Sequence, residues 1–102
     1  LQFNLKQVIN YSDVMGMSLL PEIEKTFVRL EGYLGAQGCK EFKQSSFADL
    51  YQYHFGLGMY IRNHFLGEKH KLYQLFAKAG AAERDEISFL LIQLFWVYLR
   101  LK

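Results

Sequence analysis

The chain has 102 residues, 51% of them hydrophobic, 17% aromatic and 22% charged, with a net charge of +2. Those totals exclude a disordered tail, a collagen-like repeat and a multidomain chain, and they fit one modest core spanning 1–102. Residues 1–51 carry five basic and six acidic groups and residues 52–102 seven and four, an excess too small to favour nucleic acid as a partner.

The stretch from Leu1 to Leu20 scatters Asn, Asp and Gly among its apolar residues, so no signal peptide is read there. Its first residue is Leu rather than Met, which suggests a trimmed start. Within it, Phe3 to Ile9 reads as a short fifth helix before a turn at Tyr11-Ser12-Asp13, or as an extended arm. Pro21 suits a first helical turn, Glu22 and Glu24 favour the positive end of the helix dipole, and Ile23, Phe27, Leu30 and Leu34 recur at helical spacing. Gly35 and Gly38 are expected to end this helix, leaving 35–45 as a loop.

Ser45-Ser46 supplies an N-cap for a second helix with Asp49 in its first turn. One face comprises Phe47, Leu50, His54, Leu57, Ile61 and Phe65; Tyr51, Phe55, Met59 and Leu66 form another, which predicts neighbours on two sides. Gly56 and Gly58 fall inside this helix, each costing about 0.8–1 kcal/mol relative to Ala, and their presence suggests close approach of another helix. Gly67 ends it. His70 to Ala79 is a short third helix stopped by Gly80, and Asp85 is placed to cap a fourth whose residues from Phe89 to Leu99 are apolar nearly all round. The apolar stretch from Ile87 to Leu101 falls short of the roughly 20 residues that span a membrane. The expected fold is all-α, a single-domain bundle of four main helices.

Groupings that carry chemistry are sparse. His64 and Glu68 have metal-ligand spacing, but Gly67 lies between them, and His54 falls on an apolar face, so no metal is expected. Cys39 is the one cysteine, which excludes an internal disulfide and fits a reducing, cytoplasmic setting; nothing beside it would activate a thiol. Gly56-Leu57-Gly58 lacks the third Gly or the Lys of a phosphate-cradling loop. No catalytic residue, cofactor or small-molecule substrate is therefore expected. Small helical ribonucleases of the nucleotide-binding type carry an Arg followed by His after four to six residues. Arg62 and His70 are separated by seven, so that match is poor.

The segment His54-Phe55-Gly56-Leu57-Gly58-Met59-Tyr60-Ile61-Arg62-Asn63 resembles a family of small bacterial helical proteins with an HFGLGxxIRN segment. In that family an acidic pair follows, with Ser three residues after the first acid, leading into an apolar helix that often contains Trp. Asp85-Glu86-Ile87-Ser88 and the helix bearing Trp96 are similar, although the spacer after Asn63 is short and lacks the Trp expected there. Proteins of this kind look like immunity proteins or antitoxins of bacterial toxin systems, including contact-dependent growth inhibition. The resemblance therefore implies a cytoplasmic inhibitor that binds a cognate toxin domain by occlusion.

Read from the residues, Arg62 is expected to pair with Asp85 or a nearby carbonyl, and Asn63 to satisfy backbone groups at its helix end. A binding surface is expected to draw on Glu22, Glu24 and Glu31, as a locally acidic patch, and on tyrosines such as Tyr53 and Tyr60. The alternatives are an adaptor that forms a homodimer through the apolar C-terminal helix, and a small ribonuclease using Arg62 with His64 or His70.

Overall fold

The computed structural model describes residues 19–102, so the expectation for Phe3 to Ile9 lies outside the described residues. Among the described residues, four α-helices and one 3-10 helix form an all-α single-domain bundle: α1 (Leu19–Gln44), a 3-10 helix (Phe47–Tyr53), α2 (Leu57–Phe65), α3 (Lys71–Lys78) and α4 (Arg84–Arg100).

The buried side of α1 is Leu19, Ile23, Thr26, Phe27 and Leu30, the three- to four-residue recurrence of an amphipathic helix. Thr26 is buried without penalty because its hydroxyl donates to the Glu22 carbonyl at 2.9 Å. The helix does not stop at Gly35. That residue alone leaves helical geometry, at φ 73° and ψ 173°, and the chain resumes a helical path to Gln44. The expected loop over 35–45 is thus a second helical arm. Ala, Gln, Lys and Glu within it are good helix formers, and Phe42 supplies the buried contact that holds it.

The expected continuous second helix is likewise broken. Ser46 occupies the cap position of the 3-10 helix, but its hydroxyl bonds the Asp49 carboxylate at 2.7 Å rather than a backbone N–H. A turn follows, and Gly56 stands outside α2 at its N-cap position, at φ −90° and ψ −86°, while Gly58 lies in the first helical turn. Of the two expected faces, Leu50, Leu57, Ile61 and Phe65 enter the core. The other face is not covered by a neighbour except at Leu66: Tyr51, Phe55 and Met59 are exposed.

Gly80 ends α3 in the left-handed region at φ 97°, where the Ala81 N–H reaches the Phe76 carbonyl at 2.9 Å and the Gly80 N–H reaches Ala77 at 3.1 Å. This double bond pattern closes the exposed carbonyls of the last turn. At α4 the cap position belongs to Glu83, which makes no side-chain cap bond; Asp85 sits inside the first turn, so its expected capping role is corrected.

Helix α4 packs against α1, α2 and the 3-10 helix, while α3 packs against α1 and α2. Phe95 is fully buried, with Phe27 at 5.3 Å and Phe42 at 5.4 Å between ring centroids. Phe42 in turn meets the edge of Tyr53 at 4.8 Å, so both arms of α1 and the 3-10 helix converge on one aromatic cluster. The Trp96 indole N–H donates to the Ser45 carbonyl at 2.9 Å and pins the joint between α1 and the 3-10 helix.

Two glycines of α1 are expected to respond oppositely to alanine. Gly35→Ala places a Cβ in the left-handed region and lowers stability by about 1–2 kcal/mol. Gly32→Ala, in regular helix with nothing within 4 Å of the added carbon, raises stability by about 0.5–1 kcal/mol. Urea unfolding of both variants checks the pair; equal effects of the same sign would contradict the break at Gly35.

Candidate functional site

Arg62 lies in α2 with its side chain only 14% exposed, and its guanidinium meets three acceptors. One terminal nitrogen donates to the Ser88 hydroxyl at 2.9 Å and the other to the His54 carbonyl at 3.0 Å. Nε lies 3.5 Å from an Asp85 carboxylate oxygen. Ser88, fully buried, donates a hydrogen bond of its own to the Asp85 carbonyl at 2.9 Å, so its hydroxyl both donates and accepts. One planar side chain thereby joins the turn before α2 to the first turn of α4.

The glycine at position 58 is what lets the guanidinium through. A Cβ there would fall 2.9 Å from the Arg62 Nη1 atom, while its other neighbours, the Tyr53 carbonyl and Ile92, stay at ordinary contact distance. The spacing from Gly58 to Arg62 is one helical turn, so the bare backbone of one turn makes room for the side chain of the next.

Asn63 does not serve the end of α2. It is exposed, and its side chain has no hydrogen-bond partner among the described residues. Arg84 takes that role instead: its Nε donates to the Leu66 carbonyl at 2.6 Å, and its guanidinium lies 4.3 Å from the centre of the Tyr73 ring. The first residue of α4 could not be matched to the end of α2 without knowing how the two elements meet.

The remaining candidates are not gathered into one patch. Glu31 lies nine positions after Glu22, two and a half turns, which puts them on opposite faces of α1. Each already holds lysine: Glu22 lies 3.4 Å from Lys25 and 3.5 Å from Lys71, and Glu31 2.7 Å from Lys102. The Lys102 hydrogen bond holds the Glu31 carboxyl below its ordinary range, while burial pushes the Cys39 thiol up. Glu24 is exposed. Tyr53 is half-buried, with its hydroxyl 2.8 Å from Ser45. Tyr60 stacks on Tyr33 at 3.7 Å and tilts against His64 at 4.2 Å.

A different set of side chains forms the apolar surface. Tyr51, Phe55 and Met59 are 60%, 74% and 47% exposed, far more open than Tyr53 or Tyr60. Tyr51 and Phe55 are nevertheless held in place. Tyr51 stacks on the His54 ring at 5.1 Å and meets Phe89 edge-on at 5.6 Å, and His54 meets Phe55 at 4.9 Å. His54 Nδ1 is buried without a hydrogen-bond partner among the described residues. The sequence signal for this surface is Gly56: by ending the preceding turn, it prevents the second apolar face from continuing along one helix.

These contacts predict a sign change. Arg62→Ala removes both strong hydrogen bonds and is expected to cost about 1–3 kcal/mol. Asp85→Asn, at a carboxylate 73% exposed, costs no more than about 1 kcal/mol. Gly58→Ala destabilises the wild-type chain by about 1 kcal/mol, because Arg62 must leave its acceptors. In the Arg62→Ala background it stabilises by up to about 1 kcal/mol through helix propensity. Chemical unfolding of the four members of this cycle checks the reversal; additive effects would refute it.

Residues 21–99 match the family model described as a domain of unknown function, DUF6794, and the chain belongs to that family. No curated protein and no solved structure matches the chain.

Proposed function

We propose that this family member is an immunity protein or antitoxin, acting in the cytoplasm, which binds a cognate bacterial toxin domain and blocks it by occlusion without chemistry of its own. The observation that carries the reading is the exposed pair Tyr51 and Phe55, both braced on the His54 ring, with exposed Met59 four residues beyond Phe55. Aromatic side chains supply much of the energy of protein interfaces, and holding them in place before binding lowers the entropy cost of association. The Arg62 bond to the His54 carbonyl supports this by fixing the backbone beneath the rings.

An acidic decoy for a basic partner is less well supported, because Glu22 and Glu31 are tied to lysines on opposite faces of α1. Self-association through the C-terminal helix also loses its surface: no apolar residue of α4 from Ile87 to Leu99 is exposed. The ribonuclease reading would need Arg62 beside His64 or His70, but the Arg62 guanidinium bonds the His54 carbonyl and Ser88.

Affinity capture from cells co-expressing the product of the adjacent gene, followed by native mass spectrometry, tests the proposal. A 1:1 complex is expected, with growth arrest when the chain is withdrawn. Phe55→Ser and Tyr51→Ser should each weaken the complex by about tenfold or more while leaving the unfolding midpoint nearly unchanged. Recovery of only free chain or homodimer would overturn the toxin-binding reading.

A further inference from the structure

A second region stands apart from the aromatic surface. The first arm of α1, the end of α2 and the start of α3 line an open cavity of about 390 Å³ whose walls include Lys25, Arg29, His64, His70 and Lys71 against one carboxylate, Glu22. We infer that this cavity is an oxyanion site that takes inorganic phosphate.

The argument rests on how the donors are held. The Arg29 guanidinium lies 5.2 Å from the centre of the Phe65 ring, so its stem and charge are braced at the cavity wall. His64 is tilted against Tyr60 at 4.2 Å. His70 accepts the Gly67 N–H on Nδ1 at 2.9 Å, which leaves Nε2 to carry the proton and act as a donor in the neutral ring. Gly67 permits that approach, since a Cβ there would fall 2.8 Å from the imidazole. Two imidazoles and a guanidinium are thus each positioned by a separate contact, a preorganised arrangement suited to a tetrahedral oxyanion.

Glu22 shows where the cavity stabilises negative charge. Its carboxylate lies between two ammonium groups at 3.4 and 3.5 Å, long for charge-assisted hydrogen bonds, and both lysines remain largely exposed. An oxyanion with three acceptor oxygens offers those lysines closer partners while engaging Arg29 and the histidines. Three positive charges, Lys25, Arg29 and Lys71, against one carboxylate leave the cavity net positive before any ligand arrives. Glu22 then acts as a built-in competitor that sets the affinity.

The test is a ¹H,¹⁵N NMR titration of the full chain with inorganic phosphate at constant ionic strength, with chloride as the reference anion. Saturable shifts centred on Arg29, His64, His70 and Lys71 are expected. Lys71→Met should weaken phosphate binding by about fivefold and Glu22→Gln should tighten it by about fivefold. Lys40→Met, in the separate basic groove formed with Lys43 and Arg100, should leave it unchanged. Linear shifts without saturation would overturn the inference. So would equal weakening by Lys40→Met and Lys71→Met, or no effect of Glu22→Gln.

Discussion

The guanidinium of Arg62 is the constraint on which the rest of the arrangement depends. It satisfies a carbonyl in an irregular turn, a fully buried hydroxyl on another helix and an exposed carboxylate, all from one rigid plane. A lysine in its place would offer a point charge on a flexible stem and could not span these acceptors with fixed geometry. The carboxylate contributes least, because water already solvates Asp85. The hydroxyl and the carbonyl contribute most, since each would otherwise be withdrawn from water with fewer partners.

The junction links the core to the outside of the molecule. On the inner side, α4 brings Phe95 between Phe27 and Phe42, so that a small chain closes its core around one helix. On the outer side, the His54 carbonyl belongs to the same turn that presents Tyr51 and Phe55. Stability and surface display are therefore coupled through a few atoms. A side chain buried for structural reasons also determines where exposed rings stand, although it touches none of them in the manner of a binding residue.

Much of the fold is legible in the sequence because its cause is periodic or local. The stripe Ile23, Phe27 and Leu30 and the stop at Gly80 follow from helical geometry and from the left-handed conformation that glycine tolerates. The continuation of α1 beyond Gly35 is not legible in the same way, since glycine suits both a helix end and a kink. The difference is decided by Phe42 reaching the core. Arg62 stands out as a charged residue within an apolar helical pattern. Its acceptors on Ser88 and His54 cannot be read by spacing, because they depend on how α4 lies against α2. The exposure of Phe55 and Met59 is similarly a property of the gap between elements. The separation of Glu22 from Glu31 and the nearness of Lys25 to Glu22 are legible from helical angle, whereas Lys71 and Lys102 reach them from distant parts of the chain.

The joint held by Trp96 has a spectroscopic consequence. The chain contains one tryptophan. Its indole N–H is bonded to the Ser45 carbonyl, Phe47 meets it edge-on at 5.4 Å, and the Arg100 guanidinium lies 4.1 Å from its ring centre. All indole fluorescence therefore originates at the seam between α1, the 3-10 helix and the end of α4. Separation of that seam exposes the fluorophore to water and removes an adjacent cation in the same event. Movements of Phe55 or of the His64 cavity that leave the seam intact would not appear in the indole emission, so selective excitation of Trp96 resolves one part of the molecule from the others without any label.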